Sequence, residues 1–226
     1  WTKTRSNAVN HNVASSSLAY NYSFLQTNTN AAENTGASTY YMTPTSTGYT
    51  VGTGDNINQN NYTFVDWLWR ANGGTTSTNS DGSTQTTIQV NQTAGFSIIN
   101  YTGNATAGAT VGHGLGAIPK MILTKSRSLA SSWLTFHAAY ASDPETDTML
   151  LDANGALSDS ALFWNDTAPS DSVVTLGGAY NPVNGNNVTY IMFAFAEVEG
   201  YSKFGHYIGN GNNDGPFVFT GFRPAW

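Results

Sequence analysis

Thr124-Lys125-Ser126-Arg127-Ser128 has a near-copy at the start of the chain, Thr2-Lys3-Thr4-Arg5-Ser6. Each reads as part of a strand. A strand spelled twice calls for a longer repeat, and a missed repeat misassigns the whole fold. Further matches follow at similar spacing. Phe24-Leu25-Gln26-Thr27-Asn28 matches Leu150-Leu151-Asp152-Ala153-Asn154, and Pro44 matches Pro169. Tyr49-Thr50-Val51-Gly52 matches Val174-Thr175-Leu176-Gly177, and Asn60–Val65 matches Asn186–Ile191. The spacing drifts slightly, as expected where loops absorb insertions. A second set has a shorter spacing. Gly95-Phe96-Ser97 matches Gly200-Tyr201-Ser202, Tyr101-Thr102-Gly103-Asn104 matches Tyr207-Ile208-Gly209-Asn210, and Pro119 matches Pro224.

The two sets define a module over 95–199. Residues 1–71 are the later part of a preceding copy, and 200–226 are the first strands of a following one. Residues 72–94, rich in Gly, Ser and Thr, read as a linker with too few apolar groups to join a core, although Ile88 and Val90 would suit an edge strand. Pro224-Ala225-Trp226 spells the first half of a strand that Trp1–Ser6 continues. A longer array accounts for this pattern. Alternatively the partial copies complete each other, head to tail between chains by strand donation or within one chain.

Composition fixes the fold class. Charged residues are 10% of the chain, far below the roughly 25% of ordinary soluble domains, so polarity rests on hydroxyls and amides. Aromatics reach 13%, which supplies a core and argues against disorder. Thr, Tyr, Phe and Trp favour strands, whereas Asn, Gly and Ser favour turns. The expectation is an all-β fold of tandem β-sandwich or jelly-roll-like modules. In Val65-Asp66-Trp67-Leu68-Trp69 the residues Val65, Trp67 and Trp69 share a face. Their counterparts are Ile191, Phe193 and Phe195, so this face is placed in the core. The opposite face, Phe64, Asp66 and Leu68 against Tyr190, Met192 and Ala194, is expected to be variably exposed. Strands are also expected over Lys120–Lys125 and Phe96–Tyr101, and a short helix at Asp143-Pro144-Glu145.

The net charge of −6, with no basic stripe, argues against a nucleic-acid partner. There is no cysteine, hence no disulfide framework or thiolate metal site. No apolar run approaches the ~18 residues of a membrane span. His113, in Val111-Gly112-His113-Gly114-Leu115-Gly116, lacks phosphate-loop spacing and reads as a structural turn. His11, His137 and His206 lack ligand spacing, and Asp143, Glu145 and Asp147 lack the calcium-loop pattern, so neither metal nor cofactor is expected. No nucleophile elbow occurs, and a pair of glycosidase acids is a remote alternative. The best binding candidates are Tyr40, Tyr41, Trp133 and Trp164. Their rings suit sugar faces while neighbouring amides suit hydroxyls, with core packing as the competing role. Asn-x-Ser/Thr sequons stand at Asn21, Asn61, Asn91, Asn100, Asn104, Asn165 and Asn187.

Several runs resemble a module common in uncharacterised structural proteins of marine tailed bacteriophages. They are Tyr101-Thr102-Gly103-Asn104, His113-Gly114-Leu115-Gly116, Pro119-Lys120-Met121-Ile122, Lys125-Ser126-Arg127-Ser128, Phe163-Trp164-Asn165-Asp166-Thr167 and Gly200-Tyr201-Ser202-Lys203-Phe204-Gly205. The ending Gly215–Trp226 is similar to the start of the next module in such arrays. The resemblance implies a non-enzymatic virion protein of a tail or head fibre, outside the cell. Its partners would be further copies of itself and host-surface glycans. It supplies no catalytic residues.

Overall fold

The computed structural model describes residues 1–19, 22–36 and 39–224; Asn21, Ala225 and Trp226, which carry one sequon and half of the split strand, lie outside the described residues. The strands are β1 Thr2–Thr4, β2 Asn12–Val13, β3 Leu25–Gln26, β4 Met42–Pro44, β5 Tyr49–Val51, β6 Phe64–Asp66, β7 Ser77–Asn79 and β8 Thr86–Asn91, then β9 Phe96–Thr102, β10 Thr110–Gly112, β11 Met121–Ser126, β12 Leu134–His137, β13 Asp147–Leu150, β14 Ser158–Asp159, β15 Val173–Thr175 and β16 Thr189–Phe195. One helical turn, α1 Asp55–Asn58, precedes β6. The fold is all-β, and its named strand pairs are antiparallel.

An eight-stranded sheet, in the order β14-β13-β12-β11-β16-β9-β8-β7, forms the centre. Both its faces are buried, because alternate residues of β9 and β16 enter different cores. Ile99, Tyr101, Tyr190, Met192 and Ala194 pack with Val111 and Val174 of the β10–β15 ribbon and with Phe163 and Trp164. Phe96, Ile98, Ile191, Phe193 and Phe195 pack instead with Val13 and Leu25 of the four-stranded sheet β3-β2-β1-β6. Each buried aromatic or branched aliphatic side chain contributes roughly 1.5–3 kcal/mol. This shared core therefore outweighs the polar contacts around it, worth about 1 kcal/mol each. The expected core face of β16 forms the contact with the first copy, and Trp69 reaches both Phe96 and Phe195. The opposite face is buried in β16 but leaves Asp66 and Leu68 exposed beside β6.

The two Thr-Lys-x-Arg-Ser strands occupy the same place in their sheets. β1 pairs with β6 as Thr2↔Asp66, Lys3↔Val65 and Thr4↔Phe64. β11 pairs with β16 as Thr124↔Met192, Lys125↔Ile191 and Ser126↔Tyr190. The strand ends are clipped alike. The Arg5 and Arg127 N–H groups donate to the Thr63 and Thr189 carbonyls at 2.7 Å. In return the Thr63 and Thr189 N–H groups donate to Ser6 Oγ at 3.0 Å and Ser128 Oγ at 3.1 Å. The turns before β6 and β16 also agree. Asn61 and Asn187 are both left-handed, with φ of 66° and 58°, a conformation that asparagine tolerates better than most residues.

Four expectations change. Residues 72–94 are not a spacer. β8 pairs with β9 and β7 with β8, Ile88 enters the core, and buried Gln89 donates to Ser16 and Ser17. Backbone pairing and threonine's strand preference compensate for the few apolar groups. Residues 200–224 hold no strand, only an isolated bridge between Val198 and Ser202. Asp143 opens a turn, closed by the Thr146 N–H, and no helix. Finally, the Phe24–Asn28 match is two residues out of register. The His11 and Trp133 N–H groups donate to Asn28 Oδ1 and Asp152 Oδ1, both at 2.9 Å, so Asn28 corresponds to Asp152.

Polar ties cross the contact between the four-stranded and eight-stranded sheets. Arg127 Nε meets Glu33 Oε2 at 2.5 Å. Lys125, fully buried, donates from Nζ to the carbonyls of Asn30 and Ser131. Its counterpart Lys3 donates to the Val9 carbonyl. Burial lowers the Lys125 ammonium from 10.5 to about 8, partly opposed by Asp152. Between these values the unfolded chain holds a proton that the folded chain has released, so stability rises with pH there. Below pH 8 both states are charged and the burial cost is constant. Urea titrations should therefore show the wild type gaining up to about 3 kcal/mol on Lys125→Met between pH 8 and 10.5. Parallel pH profiles would contradict this.

Candidate functional site

Two of the four candidate aromatics are inside the protein. Trp133 and Trp164 are each 1% exposed. Trp133 stacks near Phe193 and donates from Nε1 to the Gln26 carbonyl at 2.8 Å. Trp164 meets Phe136 edge-on and donates to the Asp147 carbonyl at 3.1 Å. A ring with both faces packed cannot receive a sugar, so these two are core residues. Sequence could not separate the alternatives, because indole suits a core once its N–H finds an acceptor.

Tyr40 and Tyr41 are half-buried. The Tyr40 hydroxyl donates to Asp55 Oδ1 at 2.5 Å, which raises the phenol's affinity for its proton. Its ring lies over Gly54, where a Cβ would come within 2.4 Å of it, and 5.5 Å from Phe24. Tyr40 therefore fastens the start of α1 and offers only part of its surface.

The histidines show no catalytic arrangement. His113 is buried. Its Nδ1 accepts the Leu115 N–H at 3.2 Å, so Nε2 carries the hydrogen and faces the Ser170 carbonyl at 3.3 Å. Burial lowers its pKa, which favours the neutral ring. The structural-turn expectation describes this arrangement. A lysine with a pKa near 8, such as Lys125, has the value of a general base, but its Nζ is sealed behind two carbonyls. Among the described residues no group of three or more His, Asp or Glu is placed to hold a metal ion.

Open grooves are also present, two of them beside Arg127 and Arg70. One, of about 260 Å³, lies where Asn100 donates to the Ser17 carbonyl and Arg127 meets Glu33; Thr84, Gln85, Thr87, Thr102 and Thr189 line it. The second, of about 450 Å³, runs between Arg70–Asn72 and Val90–Thr93. Both are shallow and polar, unlike the enclosed apolar pockets that take small cofactors. The lining of the second begins at Arg70, next in sequence to Trp69, a residue 37% exposed and packed against Phe96 and Phe195. Sequence reasoning missed Trp69 because it shares a strand face with Val65 and Trp67.

The geometry defines a layered all-β protein with two similar strand ladders and open polar grooves. Residues 1–226 match the family described as a domain of unknown function, DUF7483, and the chain belongs to that family. Neither a curated protein nor a solved structure matches it.

The two buried tryptophans carry a stability prediction. Trp133→Ala and Trp164→Ala should each lose about 3–5 kcal/mol in urea denaturation, against under about 1 kcal/mol for Tyr41→Phe. Near-neutral tryptophan variants would contradict their place in the cores.

Proposed function

We propose that the protein is a non-enzymatic structural and adhesive module of a repeat-built fibre, carried on a virion, that contacts host-surface glycans. The observation that carries the structural part is the face-to-face packing of the two copies. The first copy's sheet covers the apolar face of β16 and β9. Each repeat leaves an apolar face that a neighbouring repeat buries, which is how repeat proteins gain rigidity along an array. The virion assignment rests on the sequence resemblance to phage structural modules.

Glycan contact is assigned to the groove beside Trp69. Gln92 Nε2 is engaged by the Gly114 carbonyl, and Asn72 Nδ2 by the Thr75 carbonyl. Their amide oxygens then face hydroxyl donors, with the partly exposed Trp69 close to Asn72 in sequence. Such contacts are weak singly and add through repetition. Low charge in the chain suits neutral polysaccharide.

Immobilised bacterial surface polysaccharides test this directly. The protein arrayed on beads should retain neutral polysaccharide, and Trp69→Ala with Gln92→Ala should lower retention roughly tenfold or more without altering the fold by circular dichroism. No retention across a broad panel, or retention indifferent to both changes, would overturn the glycan assignment. Release of new reducing ends would overturn the non-enzymatic one.

A further inference from the structure

β6 ends its sheet among the described residues, with β1 its one strand neighbour. Trp1 and Trp67 exchange N–H···O bonds, so alternation turns Val65 and Thr63 toward β1 and the backbone groups of Phe64, Asp66 and Leu68 outward. In the second copy that edge is filled. Tyr190, Met192 and Ala194 of β16 pair with Tyr101, Ile99 and Ser97 of β9.

The chain carries one more segment patterned on β9. Gly95 and Gly200 both have positive φ, 62° and 74°, as do Ala105 and Gly211, 59° and 64°. Asn104 Oδ1 accepts the Thr106 N–H at 2.9 Å, and Asn210 Oδ1 accepts the Asn212 N–H at 3.0 Å. The turns of β9 are thus already set around 200–211, yet the segment between them forms no strand and pairs with none among the described residues. Tyr207 is 67% exposed and Ile208 82%, whereas Tyr101 is 4% exposed.

We propose that residues 205–210 of a second copy of this chain, beyond the anchor at Phe204, add as an antiparallel strand to the outer edge of β6. The filled edge specifies the contacts. Tyr101 stacks on Tyr190 at 4.9 Å, its hydroxyl donating to the Val183 carbonyl. Tyr207 takes that position on Phe64 and donates to the Ile57 carbonyl. The Asn104 N–H donates to Asn184 Oδ1, whose Nδ2 is held by the Gly177 carbonyl at 2.8 Å. Asn58 is held in the same way, with Nδ2 on the Gly52 carbonyl at 2.8 Å, but it is exposed and its Oδ1 awaits the Asn210 N–H. The receiving site is therefore formed in advance, which lowers the ordering cost of binding.

A second copy is the occupant because the chain's own segment is tethered elsewhere. The Phe204 N–H donates to Glu197 Oε1, and its ring rests against Phe195 and His137 at the end of β16. One copy's segment on the next copy's edge is a heterologous contact, so it propagates into open chains. The inference rests on the structural part of the proposed function and names its partner; it is independent of glycan contact.

Two exposed-site variants test it. Tyr207→Pro disables the donated strand. Asp66→Pro removes an outward N–H that no strand uses among the described residues, together with a carboxylate that accepts from the Tyr49 hydroxyl, and proline is tolerated on an edge so oriented. Melting curves check that both remain folded. In sedimentation velocity the wild type should grow beyond a dimer with concentration, while each variant alone should associate roughly tenfold or more weakly. Mixing them should give a 1:1 dimer and nothing larger, since one good segment and one good edge remain. Hydrogen exchange at Phe64 and Asp66 should slow as wild-type concentration rises. A monomer at all concentrations, a mixture that does not associate, or protection independent of concentration would overturn the proposal. A monomer that still retains polysaccharide would overturn it while leaving glycan contact standing.

Discussion

The fold depends on the antiparallel ladder between the Thr-Lys-x-Arg-Ser strand and its partner, β1 with β6 and β11 with β16. Register within a sheet decides which side chains reach which face, and a slip of one residue inverts both. Here a reciprocal pair of hydrogen bonds at the strand end fixes it. The arginine N–H reaches a threonine carbonyl, and that threonine's N–H returns to the serine hydroxyl. The lysine two residues before the arginine turns its ammonium to a carbonyl of the following loop, Val9 for Lys3 and Ser131 for Lys125. Five residues therefore set a ladder and anchor a hairpin.

From that ladder the layers follow. With Lys125 opposite Ile191, the residues Ile191, Phe193 and Phe195 turn together toward the first copy, while Tyr190, Met192 and Ala194 turn toward the β10–β15 ribbon. A strand apolar on both faces must be covered on both. In the first copy Asp66 and Leu68 occupy the positions of Met192 and Ala194, and they remain exposed. The same ladder thus supports a fully buried strand in one copy and an edge strand in the other.

The two matching ladders were legible because their markers are local chemistry. The clip needs a serine hydroxyl just after the strand, since the arginine gives only its backbone N–H, and the turns before β6 and β16 each use an asparagine in the left-handed region. What escaped lacked such markers. β8 holds only Ile88 and Val90 as large apolar residues, so hydropathy alone argued for a spacer, whereas backbone pairing to β9 decided the outcome. The match of Phe24-Leu25 with Leu150-Leu151 followed apolar identity. The observed register follows the side-chain acceptors Asn28 and Asp152, which composition does not rank. Among the aromatics, burial depends on what packs around the ring. Trp133 and Trp164 each have a carbonyl acceptor inside, and Trp69 at a strand end does not share their enclosure.

An engineered disulfide tests the shared ladder most directly, since the chain has no cysteine of its own. Thr2 and Asp66 form a non-hydrogen-bonded pair, the kind whose Cα atoms approach closely enough for an unstrained bridge. Under mild oxidation Thr2→Cys with Asp66→Cys should close within one chain, and Thr2→Cys with Phe64→Cys should not. Efficient closure of the shifted pair, with failure of the first, would contradict the ladder on which the rest of the structure is built.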